Sequence, residues 1–200
     1  MSRRNNRIRQ EVAAEAARIM ATEGQRSYLG AKQKAARRLG LSTSSSLPSN
    51  TEVEQALREW HELYGGEEHA TVLQDLRQAA LSAMQFFAPF RPRLVGPVLE
   101  GTADAFSRIS LHVFLDDPDA IIHFLLERKI PFEQESRRIR WHDGHFRQLE
   151  IVVIDAGGQT IELILMIGRN GLQAPPSPVD GRAQKRMGAS ELEKLLDTSA

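Results

Sequence analysis

Cysteine is absent from the 200 residues. That excludes disulfides, thiolate nucleophiles and Cys-ligated zinc or iron–sulfur centres together, and it agrees with a reducing compartment. Aromatic residues make up only 6% of the chain, and they do not interleave with the basic residues near the N-terminus as single-strand recognition would want. No apolar run approaches the ~20 residues that span a bilayer. The opening Met-Ser-Arg-Arg-Asn-Asn-Arg turns amphipathic without the apolar core of a secretory signal. The expectation is a cytoplasmic protein that contacts no membrane.

What is present is ordinary for a chain that buries a core: 41% apolar and 26% charged residues, with a formal net charge of zero. The charge is unevenly spread. Residues 1 to 40 hold ten Arg or Lys against Glu11, Glu15 and Glu23, a net +7 that the remaining residues balance at −7. Such a gradient fits an arm that meets a nucleotide or nucleic acid through basic residues 3–38. It fits equally an end that docks on the acidic body of its own chain or of a second copy, so a homo-oligomer stays open.

Periodicity divides the chain at about residue 92. Before it the apolar spacing is helical. Ile8, Val12, Ala16, Ile19 and Met20 predict a helix over about 6–22, and a second runs to Leu39, stopped by Gly40. Ser42 to Asn50, with Pro48, reads as a linker. Thr51 and Glu54 have capping-box spacing ahead of a stripe of Val53, Ala56, Leu57, Trp60, Leu63 and Tyr64, ended by Gly65-Gly66. A fourth helix from Val72 to Phe87 must stop at Pro89 and Pro92. Beyond it, Leu94-Val95 and Val98-Leu99 read as a short strand broken at Gly96-Pro97. Ile109 to Leu115 alternates as a strand, and Asp117-Pro118 opens a helix to about Lys129. Three antiparallel strands over 132–141, 146–154 and 160–166 turn at Asp143-Gly144 and Gly157-Gly158. A Pro-rich stretch, Gln173 to Gly181, resembles a closing loop over the sheet, and Ser190 with Glu193 has capping-box spacing for a last helix. The expected fold is α+β: an N-terminal helical region, then a mixed or antiparallel sheet of about five strands with a crossover helix. The domain reading is a basic helical segment at 1–48, a helical region packing on the core at 49–92, and an α+β domain at 93–200.

The segment Leu94-Val95-Gly96-Pro97-Val98-Leu99-Glu100-Gly101-Thr102-Ala103, followed by Arg108-Ile109-Ser110-Leu111-His112-Val113, resembles the nucleotidyltransferase domain of the DNA polymerase beta superfamily. The resemblance covers about residues 75–166. In that family a Gly-Ser pair after the first strand grips phosphate, and an Asp-x-Asp on the second strand holds the metals. The resemblance implies nucleotide binding at Gly96, Gly101, Thr102 and Ser110, with Glu162 at the third carboxylate position.

The departures bear on chemistry. Carboxylates two apart on a strand share a face and bring two Mg2+ ions to a triphosphate; here Ser110 and His112 occupy those places. Neither offers the charged oxygen that hard Mg2+ prefers, and Pro97 removes a hydroxyl and an amide donor from the phosphate loop. The expectation is therefore a catalytically defective protein that binds a nucleotide, a nucleic acid or a protein. An active transferase with a non-standard Mg2+ site built from His112, Glu162 and an acid among Asp116, Asp117 and Asp119 is the alternative; otherwise no cofactor is expected. Should His112 and Glu162 share a sheet face, an acid–base pair is one reading and a satisfied polar contact the other. The acids at 116–119 start a helix more simply than they hold a cation. Glu100 and Asp104 read as loop acids, and His142, Asp143 and His145 read as a hairpin. Ser107 and Ser110 have no partners for nucleophilic attack, and no Gly-x-Ser-x-Gly elbow exists.

Overall fold

A computed structural model describes residues 3–41 and 47–198, and it is α+β with N-terminal helices followed by an open five-stranded mixed sheet. The chain falls into two compact units. One holds residues 1–72, 104–107 and 178–180, and the other holds 73–103, 108–177 and 181–200.

The first unit is built on α1 (Arg3–Glu23), α2 (Tyr28–Arg38) and α3 (Asn50–Trp60). Its core of Val12, Ala13, Ala16, Ile19, Ala31, Ala35 and Val53 is rich in alanine, which lets helices approach closely. Ser27 caps α2 by accepting from Gly30 N. The predicted linker falls partly outside the described residues, and its last residues serve α3: Ser49 and Glu52 form a reciprocal capping box. This corrects the expected Thr51–Glu54 box. Glu54 is instead buried and accepts from the Tyr28 hydroxyl at 2.5 Å. After Trp60 the chain takes a wider turn with π-type spacing over His61–Gly65 before α4 (Gly66–Phe86) begins. The wider turn shifts the helical phase, so Leu63 and Tyr64 leave the predicted apolar stripe and stand 74% and 70% exposed.

In the second unit the sheet order is β1-β2-β5-β4-β3, from β1 (Arg93–Val95), β2 (Ile109–Leu115), β3 (Glu133–Arg140), β4 (Phe146–Ala156) and β5 (Gln159–Ile167). Strands β3, β4 and β5 form the expected antiparallel meander, and β5 runs parallel to β2. The crossover between β2 and the meander is α6 (Ala120–Glu127). Val98 and Leu99, expected as strand, lie in a single helical turn, α5 (Pro97–Glu100). Gly96 at φ +73 turns the chain out of β1, and Pro97 then has the φ of a first helical position. Helix α7 (Ala189–Thr198) closes the chain. Its opening amide, Gly188 N, donates to Glu191 rather than to the expected Glu193. Among the described residues no helix is long and apolar enough to cross a membrane.

Alternation gives the sheet two differently made faces. Ile109, Leu111, Val113 and Leu115 lie on one, with Ile161, Leu163 and Leu165, all of them buried. Ser110, His112 and Phe114 lie on the other with Glu162, Ile164 and Met166. There an apolar cluster of Val95, Ile151, Val153, Ile164 and Met166 adjoins the polar residues.

Candidate functional site

The loop that the resemblance makes a phosphate cradle is tied to itself. Glu100 N donates to Gly96 O, and Gly101 N and Thr102 N both donate to Pro97 O. Pro97 has no amide to offer. Gly101 takes φ +84, and Arg77 crosses beneath the turn with its Nε donating to Val98 O at 3.2 Å. Burial lowers the pKa of Arg77. Thr102 is buried. Gly96 and Ser110 do come together: a Cβ added at Gly96 would stand 3.9 Å from the Ser110 side chain.

Ser110 and Glu162 are direct cross-strand neighbours on β2 and β5. The Ser110 hydroxyl donates to Glu162 Oε2 at 3.2 Å. The same carboxylate accepts from Arg108 at 2.9 Å and from Arg137 at 3.3 Å through Oε1. Arg108 reaches Glu135 as well, at 3.0 Å. Burial would lower the pKa of Arg108, but Glu135 and then Glu162 outweigh it, and the net shift is upward. Glu162 is 5% exposed, so its carboxylate is held in poor contact with water between a partly buried Arg108 and a half-exposed Arg137.

His112 lies on the same face and is fully buried. Its Nδ1 accepts from Arg186 Nε at 2.9 Å, which assigns the proton of the neutral ring to Nε2. Arg186 is in turn fixed by Gly171 O at 3.0 Å and Leu172 O at 2.8 Å, and its guanidinium lies over the Phe114 ring. Burial, with the Arg186 charge second, depresses His112 to a pKa of about 3. Gln184 is close enough to soften that shift, yet its Oε1 and His112 Nε2 are both buried without a hydrogen bond of good geometry. His112 and Glu162 thus share a face but hold different partners.

The strap that carries Gln184 and Arg186 pairs with the β1 edge of the sheet through Met187, beyond the Pro-rich stretch. Met187 exchanges two backbone hydrogen bonds with Leu94 of β1, both 2.9 Å long. Pro176 bridges to Ala183, and Gln184 N donates to Pro175 O, folding the strap back on itself.

The remaining candidates are local. Asp117 accepts from Asp119 N in the turn that opens α6, and Asp116 and Asp119 are exposed beside it. Asp143 accepts from His145 N and pairs with Arg147 at 2.7 Å, while His142 bonds Ala174 O. Asp104 accepts from Ser107 Oγ and Phe106 N, and burial raises its pKa. Among the described residues no three His, Asp or Glu side chains are grouped to hold a metal ion. Phe87 and Phe90 are buried, and Phe124 meets their rings and that of Phe86 edge-on or tilted.

Sequence reasoning missed Arg108, Arg137, Gln184 and Arg186. The signal for Arg108 was an arginine just ahead of β2, two residues before Ser110 and so on its face. Arg137 and Arg186 had no local signal, since strand register and the strap place them. Set against protein-family models, curated protein sequences and solved structures, the chain matches none.

Proposed function

We propose that this chain is a nucleotidyltransferase-like protein that no longer transfers nucleotides and works by binding, with a protein as the favoured ligand. The observation that carries the reading is the state of Glu162. The single carboxylate left from the family's metal triad is buried and bonded to two guanidinium groups and a hydroxyl. A divalent cation brought there would have to displace Arg108 and Arg137 from the carboxylate they both bond, and their charges would repel it. The loop favours the same reading, because three of its amides are spent on its own carbonyls. So does His112, which is fully buried with Nδ1 bonded to Arg186. A face packed in this way suits a scaffold better than a nucleotide pocket.

The active-transferase alternative has less support, because Glu162 is bonded to two guanidinium groups, His112 is bonded to Arg186, and Asp117 is bonded to Asp119 N in the turn that opens α6. In the basic helical unit, Arg9 pairs with Glu52, Arg18 with Glu15, and Lys34 and Arg38 with Glu23. These pairs fix four of the ten basic side chains in the fold of the unit, which weighs against nucleic acid as the main ligand even though the positive excess remains.

The test is calorimetry with Mg2+ and each nucleoside triphosphate, alongside a radiolabelled transfer assay. The expected result is no transfer above background and no heat of metal-dependent binding. Metal-dependent transfer that disappears in Glu162→Ala overturns the proposal.

A further inference from the structure

The strand β3 ends the sheet, and among the described residues nothing pairs with its outer edge. Six of its eight residues are exposed, which matters because an open edge is a template for another strand. Trp141 N donates to His145 O at 2.7 Å. By alternation from that bond, Glu133, Glu135, Arg137 and Ile139 turn their backbone groups toward β4. Gln134, Ser136, Arg138 and Arg140 turn theirs outward.

Proteins commonly guard such an edge with charge. Here, however, the two signs are segregated: Glu133 and Glu135 fill the first half, and Arg137, Arg138 and Arg140 fill the second. A parallel copy would set like against like. An antiparallel copy sets the acidic half against the basic half, and charge then selects the register, because outward residues must oppose outward residues. With Ser136 opposite its own counterpart, Glu135 faces the partner's Arg137 twice and Gln134 faces the partner's Arg138 twice. No like charges meet. Sliding by one allowed step puts Arg137 on the partner's Arg137 in one direction and Glu135 on the partner's Glu135 in the other. Glu135 and Arg137 keep side-chain exposures of 38% and 52% despite their pairs with Arg108 and Glu162, so both remain reachable.

We propose that β3 is a self-association edge, pairing antiparallel with β3 of a second copy about a two-fold axis at Ser136. The contact is isologous and self-complementary, as a two-fold requires. It stands independently of the functional reading above.

The experiment is sedimentation velocity on the full chain across a wide concentration range. The expected species has twice the 22.4 kDa of one chain and dissociates on dilution. Ser136→Pro removes an amide that β4 does not use and places a ring at the centre of the seam, so it should leave a monomer. Since that variant tests folding as well, a charge series accompanies it. Gln134→Arg sets arginine against the partner's Arg138 twice and should weaken the dimer about tenfold, and adding Arg138→Glu, which turns both contacts into ion pairs, should restore it. A wild-type chain of single-chain mass throughout, or a dimer indifferent to the changes at Ser136 and Gln134, overturns the proposal.

Discussion

Glu162 and His112 are both buried ionisable groups, but they respond to opposite insults. Glu162 supplies the charge for two arginines, and Glu162→Ala strands them. Arg108 keeps Glu135 and some solvent, so the expected cost is about 2 kcal/mol in urea unfolding rather than the full penalty of an orphaned buried charge. A loss no larger than that of an exposed surface pair, under about 1 kcal/mol, would mean the arrangement contributes little. His112 is held neutral. Its pKa drops from an ordinary 6.5 to about 3 in the folded state, so the unfolded chain binds its proton first as pH falls. Stability from this group is therefore complete above about pH 6.5, declines below it, and levels off once the pH passes the folded value of about 3. His112→Gln keeps an acceptor for Arg186 and does not titrate. The measured slope of stability between pH 6.5 and 4 should flatten in that variant by up to one bound proton, relative to wild type, and an unchanged slope would show the depression to be absent.

At the scale of elements, most boundaries were legible because period and punctuation agree. Gly40, Pro89, Pro92 and the two Gly hairpins act through backbone φ and missing amides, which tertiary packing cannot override. The misreadings arose where two local patterns competed. Ser49-x-x-Glu52 and Thr51-x-x-Glu54 both spell a capping box, and only burial of Glu54 against Tyr28 separates them. Ser49→Ala should accordingly cost about 1 kcal/mol in thermal or urea unfolding, whereas Thr51→Ala should stay within about 0.5 kcal/mol. Comparable losses at the two positions would return the cap to Thr51. The extra residue inserted after Trp60 rotates Leu63 and Tyr64 outward, and a stripe read at constant period cannot show that. The candidate site was legible only by halves. Period two put Ser110 and His112 on one face, but their partners come from β5, from β3 and from a strap 74 residues away.

For the whole molecule, charge is organised by pairing rather than by region. Arg18, Lys34 and Arg38 pair with Glu15 and Glu23, which already count within the +7 of the first forty residues, and Arg9 pairs with Glu52 beyond them. Sheet edges tell a related story. Leu94 is the residue of three-residue β1 that faces away from β2, and Met187 takes both of its backbone groups. One rim of the sheet is thereby closed by the chain itself, and among the described residues the β3 rim alone is left to recruit a neighbour. Growth by strand addition has nowhere to go after a single event, so at high concentration the protein should saturate at pairs instead of extending into filaments.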